Sequence, residues 1–184
     1  ADVTWKVEDR KDGLVLEVQA VAGSSYENIR VSGDSSVSAE RFAQVWWAQA
    51  MDVSEDRAIS AREVLEQSED SRLVYDLVKM PLGSDRDYVM RMTRKPGAAS
   101  GAWALRFRSV TDPRRPAVEE RVRMRVDASL EITPREDGGC RFVYTVFTDI
   151  GGAFPAFFLR GAQRSGILKH ALEMRSRAES PSDK

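Results

Sequence analysis

Two stretches of this chain alternate apolar and arginine side chains residue by residue. In the first, Trp103, Leu105 and Phe107 take one phase while Arg106 and Arg108 take the other. In the second, Val122, Met124 and Val126 alternate with Arg121, Arg123 and Arg125. Successive side chains on a strand point to opposite faces, so each stretch reads as a strand with one dry and one wet side. Such strands belong to an antiparallel sheet covered on one face, since parallel sheets are buried on both. The apolar face of that sheet needs a second layer.

The rest of the chain supplies more strands and two candidates for the layer. Trp5 and Val7, then Leu14, Leu16 and Val18, flank an Asp12-Gly13 turn and predict a hairpin, with a third strand over 26–31. Further strands are predicted over 64–67, 73–80, 88–93, 103–110, 121–132 and 141–148, each bounded by Gly, Pro, Ser or Asp turns. Between the two sets, Phe42, Val45, Trp46 and Gln49 or Ala50 share one helical face, with Ser38 placed as N-cap. After Gly151-Gly152 the period becomes helical again to about residue 177, along Phe154, Phe158, Gly161 or Ala162, Ser165, Leu168 and Leu172. This order predicts an α+β fold in which a curved antiparallel sheet wraps around a long C-terminal helix and leaves a space between them. Residues 1–178 form one domain on this reading, and 179–184 form a polar, disordered tail.

Composition removes several functions. Lysine and arginine total 28 against 29 acids, a net charge of -1, which argues against a nucleic-acid partner. One cysteine (Cys140) and one histidine (His170) make neither a disulfide nor a zinc site, so no metal or cofactor is expected. No apolar run reaches the length of about 18–20 residues that spans a bilayer. The chain begins almost directly on its first strand. That favours a periplasmic or secreted protein whose signal has been removed, with a cytoplasmic one as the alternative.

Specific residues carry a family resemblance. Residues 75–88 read YDLVKMPLGSDRDY and residues 132–158 read ITPREDGGCRFVYTVFTDIGGAFPAFF. Pro81 followed by Arg86-Asp87-Tyr88, Thr133-Pro134, Gly138-Gly139, and Asp149 with Gly151-Gly152 and Pro155 resemble a bacterial START (steroidogenic acute regulatory protein-related lipid transfer) domain. The resemblance implies a helix-grip fold with an internal apolar cavity that binds and carries a hydrophobic ligand, such as a phospholipid, sterol or related lipid, without catalysis. A monomer is expected, and a tryptophan of the pair Trp46 and Trp47 at the cavity mouth is a candidate for transient membrane contact during exchange. Steroid-carrying members place an arginine six positions after that of the Arg-Asp-aromatic motif; this chain has Met92 there, which implies a mostly apolar pocket of several hundred Å³. The alternatives are a cyclase- or aromatase-like enzyme of the same superfamily, which needs three or more ionisable residues in the cavity, and a quinone-chaperone-like module with an exposed apolar rim.

The candidate ligand-binding residues follow. Tyr88, Met90 and Met92 share one strand face, and in this family the central strand faces the cavity. Leu77, Trp103, Leu105, Phe107, Val122, Met124 and Val126 extend the apolar wall. Tyr75 and Tyr144 offer hydroxyls to a head group or to backbone. Phe154, Phe158, Ala162 and Ser165 are the helix contribution, their small members either leaving room or packing closely. Arg86 and Asp87 read as a structural ion pair, satisfied by each other or by a neighbour such as Asp149. Of Trp46 and Trp47, one reads as core and the other as exposed or at the cavity mouth, and His170 reads as solvent-facing.

Overall fold

The computed structural model describes residues 4–53, 58–81, 83–152 and 156–181. The chain forms β1 (Lys6–Lys11), β2 (Leu14–Ala20), β3 (Glu27–Ser35), α1 (Ala39–Gln49), β4 (Ile59–Gln67), β5 (Ser71–Val78), β6 (Arg86–Pro96), β7 (Trp103–Val110), β8 (Val122–Arg123), β9 (Arg125–Pro134), β10 (Cys140–Asp149) and α2 (Ala156–Glu179). The strands build one open sheet in the order β1-β2-β3-β10-β9-β7-β6-β5-β4. All neighbours on that path are antiparallel.

Local chemistry sets the element ends. The β1–β2 turn takes Asp12 at φ 50° and Gly13 at φ 78°, the left-handed pair that a two-residue hairpin turn requires. The Ser38 side chain caps α1 by accepting from the Arg41 N–H at 3.3 Å. No basic residue stands in the last turn of α1. Two arginines from the sheet serve instead: Arg62 of β4 donates to the Ala50 carbonyl at 2.6 Å, and Arg72 of β5 to the Trp47 carbonyl at 2.7 Å. Cations at a helix C-terminus offset its partial negative charge, so these contacts pin α1 to the sheet.

The strand expected over 121–132 is broken in two. β8 pairs parallel with the start of β6, and β9 begins only at Arg125. Arg121 and Arg123 therefore leave the wet face and turn to the buried Asp87 carboxylate, at 3.8 and 2.7 Å. A carboxylate so deeply buried is costly unless paired, which explains the break.

Two helices, not one, cover the dry face. α2 lies on β2 and β3 and against α1, while α1 lies on β7, β9 and β10. The buried stripe of α2 runs through Leu168, Ala171, Met174 and Ala178. At 100° per residue this stripe leaves Ala162 on the far side and Ser165 beyond its edge. Both are exposed, and nothing lies within 4 Å of where a Gly161 side chain would be. The expectation that small residues line the inner face of α2 is thus corrected. The N-terminal half of the helix is held by polar ties: Arg164 to Glu27 at 2.6 Å and to Glu8 at 3.0 Å, and Arg160 to the Ser25 carbonyl at 3.0 Å.

Two other expectations change. Trp46 and Trp47 are both buried. Trp47 is covered by the Arg72 guanidinium 4.1 Å above its ring, a stem-and-charge lid that the helix alone does not reveal. Glu179, assigned to a disordered tail, ends α2 and accepts from the Ser35 hydroxyl at 2.8 Å and the Ser36 N–H at 3.0 Å. Residues 182–184 lie outside the described residues.

Candidate functional site

Between the two helices and the sheet lies a cavity of about 150 Å³. Trp46 and Gln49 of α1, its C-cap Ala50, and His170 and Met174 of α2 form its helical side. Met90 and Met92 of β6, Phe107 of β7, Val126 and Ala128 of β9, Tyr144 of β10 and Arg62 of β4 form the sheet side. The period of two places Met90 and Met92 on one face, and methionine's flexible thioether suits an irregular wall.

Three rings narrow the space. Trp46 lies 4.9 Å from Tyr144 and 5.3 Å from His170, the latter edge-on, and Tyr144 and His170 are 6.0 Å apart. The cavity is smaller than the several hundred Å³ expected. His170, read as solvent-facing, is half-buried and part of the wall. Burial pushes the Tyr144 phenol well above its ordinary value, so its hydroxyl keeps its proton.

The wall is mostly apolar, but it carries one charged side chain, Arg62. It stands directly opposite Asp76 on β5. Its Nε donates to Asp76 Oδ1 at 2.7 Å and its Nη2 to Oδ2 at 2.6 Å, a two-pronged pair. Asp76 is 0% exposed. Burial opposes the Arg62 charge, but hydrogen bonding to Asp76, that carboxylate's charge and the Tyr88 hydroxyl outweigh it and hold the guanidinium above its ordinary value.

Of the residues expected at the site, the fold brings Met90, Met92, Phe107 and Tyr144 to the cavity wall. Tyr88 is buried on the same face of β6, next to Arg62. Leu105 and Met124 are core residues away from the lining. Trp103 borders a separate surface groove with Lys95 and Pro96. Val122 packs against the Gly151-Gly152 segment, where a side chain at Gly151 would meet it at 2.8 Å. Tyr75 and Leu77 take the opposite phase of β5 from Asp76 and so point away from the cavity. The Tyr75 hydroxyl donates to Asp87 at 2.8 Å on that outer face. Phe154 and the Phe158 side chain lie outside the described residues.

Arg86 and Asp87 are structural, but not as a mutual pair, because neighbours on a strand face opposite ways. Arg86 donates to the carbonyls of Ile150 at 3.0 Å, Gly151 at 3.3 Å and Ser84. Asp87 takes Tyr75, Arg121 and Arg123, and Asp149 instead accepts from the Gly151 N–H at 2.8 Å.

Val126, expected in the wall beside Val122 and Met124, does line it, while sequence reasoning missed Trp46, Gln49, Ala50, Arg62, Ala128, His170 and Met174. Signals existed for some. The shared helical face of Trp46, Gln49 and Ala50 was visible. Asp76, an acid inside the apolar run 73–78, demanded a buried partner. Among the described residues, no group of three or more His, Cys, Asp or Glu could hold a metal ion, and no helix is long and apolar enough to cross a membrane.

The family model described as START domain matches residues 5–184. Solved structures share the fold. Human STARD10 superposes with a TM-score of 0.78 at 18% identity, covering 97% of this chain and 74% of that one. A STAR-related lipid transfer protein from Xanthomonas axonopodis gives 0.77 at 21% identity, covering 96% and 99%. Human StAR-related lipid transfer protein 5 gives 0.76 at 15% identity, covering 95% and 86%. No curated protein sequence matches the chain.

Proposed function

Because the chain belongs to the START domain family, we propose that it binds one hydrophobic molecule in the cavity between α1, α2 and the sheet and passes it between membranes or partners. The cavity itself carries this reading: an internal space walled by Met90, Met92, Phe107, Val126 and Met174, with polar groups gathered at Arg62, Tyr144 and His170. Ligand sites combine such an apolar wall with a few placed polar groups. Native mass spectrometry of the purified protein, before and after organic extraction, tests the proposal. A co-purified lipid, or uptake from a lipid panel that Met92→Trp abolishes without unfolding the chain, is the expected result. Failure of every lipid to bind the folded protein refutes it.

One observation favours a second reading, a superfamily enzyme: three ionisable side chains, Arg62, Tyr144 and His170, line the cavity. Against it, Arg62 is committed to Asp76 and Tyr144 holds its proton, which leaves His170 as the base. Turnover of a polyketide-like substrate that His170→Ala abolishes would establish this reading. The chaperone-like alternative gains no support, since the large exposed apolar side chains among the described residues are Val7 and Val64, on the two edge strands.

A further inference from the structure

The outer face of the sheet, turned away from both helices, carries a groove of about 440 Å³, larger than the internal cavity. We propose that this groove docks a partner protein through a short, extended, acidic segment that carries one large apolar side chain. The strand phase puts the groove on that face. Phe107, Ala128 and Tyr144 point to the cavity, so their sequence neighbours Arg106 and Arg108, Asp127 and Ser129, and Thr145 point outward. Phe147, Asp127 and Arg108 stand side by side on β10, β9 and β7, and Thr145, Ser129 and Arg106 form the next row. All six line the groove, and Asn28 closes its β3 end.

Charge in the groove is unbalanced. Arg106, Arg108 and Arg125 line it against one acid, Asp127. Arg125 takes Asp127 at 2.7 Å, and Arg106 takes Glu131, beyond the lining, at 2.9 Å. Arg108 is exposed and makes no ion pair among the described residues. It also stands directly opposite Arg91 on β6, and like charges so placed destabilise a sheet. A carboxylate arriving at Arg108 relieves that repulsion and suits the guanidinium fork. The other end is apolar: Phe147 is half-buried, with the Arg125 guanidinium 5.4 Å from its ring, and Val21 joins it in the lining. Neighbouring strands lie about 4.7–4.9 Å apart, so the three steps from β7 to β3 cover about 14–15 Å. An extended chain rises about 3.3 Å per residue, so about four or five residues cross the groove and set an acid at Arg108 with an apolar side chain over Phe147. A bilayer fits poorly, since a flat surface does not reach the floor of a groove. Nucleic acid fits poorly too, because Asp127 sits among the arginines and the whole chain carries a net charge of -1. With α1 and α2 on the opposite face, a docked partner leaves the helical side of the cavity free.

The test is an array of short synthetic peptides that combine glutamate, lysine or serine with leucine or alanine, read by fluorescence anisotropy on the full chain. Glutamate–leucine peptides are expected to bind at least about tenfold tighter than their lysine or serine counterparts, and tighter than glutamate–alanine ones. Arg108→Glu should weaken their binding at least about tenfold. Phe147→Ala should erase the preference for leucine over alanine. Amide NMR shifts of wild type with the best peptide are expected on β7, β9 and β10 at the outward residues, a readout that stands even if a variant does not fold. Phosphatidylglycerol vesicles and a single-stranded oligonucleotide are titrated in parallel. Four results overturn the proposal: no preference for acidic peptides, unchanged affinity in folded Arg108→Glu, NMR shifts confined to the helices, or vesicles or oligonucleotide bound through Arg108 more tightly than any peptide.

Discussion

Replacing Arg62 with methionine removes the charge while keeping much of the side-chain stem, and leaves Asp76 buried without its partner. Breaking one side of a buried ion pair costs about 3–5 kcal/mol, because the remaining charge has lost both water and countercharge. The upper part of that range is favoured here, since Asp76 is fully buried, both of its oxygens are engaged, and α1 loses the Ala50 contact as well. For a domain of this size each kcal/mol moves Tm by about 2–4 °C, so the melting temperature should drop by roughly 10 °C or more. Urea unfolding followed by circular dichroism measures the loss directly. The double variant Arg62→Met/Asp76→Leu should recover most of it, because an apolar pair of similar volume bears no desolvation penalty. A single-variant loss below about 1 kcal/mol, the size of an exposed pair, refutes the reasoning, as does a double variant no more stable than the single.

Other outcomes follow from neighbouring features. Met92→Trp should overpack the cavity at a cost of about 1–3 kcal/mol and abolish lipid uptake, read by native mass spectrometry. The Cys140 thiol is fully buried and pushed up to about 11 by that burial and by Asp34 and Glu179; a thiol reagent should label it only as fast as the chain unfolds. Hydrogen bonds from Arg114 hold Asp112 down at about 2. The stability it confers is present above the ordinary carboxylate range and is lost as pH falls toward 2, so wild type and Asp112→Asn should converge over that interval in acid titrations. Arg164→Ala should speed hydrogen exchange in the N-terminal half of α2 while the sheet keeps its protection.

The architecture was legible because it rests on periodicity. Alternation at Trp103–Val110, the Asp12-Gly13 turn and the Ser38 cap are local signals, and the fold realises each of them. The site was legible only where a strand's phase was pinned by its neighbours, as for Met90 and Met92. Where phase was ambiguous, as at Tyr75 and Leu77, the side chains lie on the opposite face. Arg62 was invisible because β4 carries irregularities between Ile59 and Ala61 and between Val64 and Glu66, which erase the period of two. Ala162 and Ser165 were misassigned because the stripe was traced from Phe154 and Phe158, whereas Leu168, Ala171, Met174 and Ala178 fix the rotation of the helix. Nothing local announces that Arg72 would roof Trp47, because that contact joins an edge-side strand to a helix.

The pairing of β3 with β10 has a consequence for how the chain comes into being. Residues 28–35 wait for residues 140–147 before their free edge is closed. Until β10 leaves the ribosome, the first three strands present an unpaired β3 edge and an uncovered apolar face that includes Leu14, Leu16, Ile29 and Val31. Closure at such long range is slow, and nascent chains held at this stage are prone to stick to one another. Chains stopped before residue 140 should therefore aggregate rather than form a smaller stable domain, and chaperone demand during synthesis should peak just before β10 emerges.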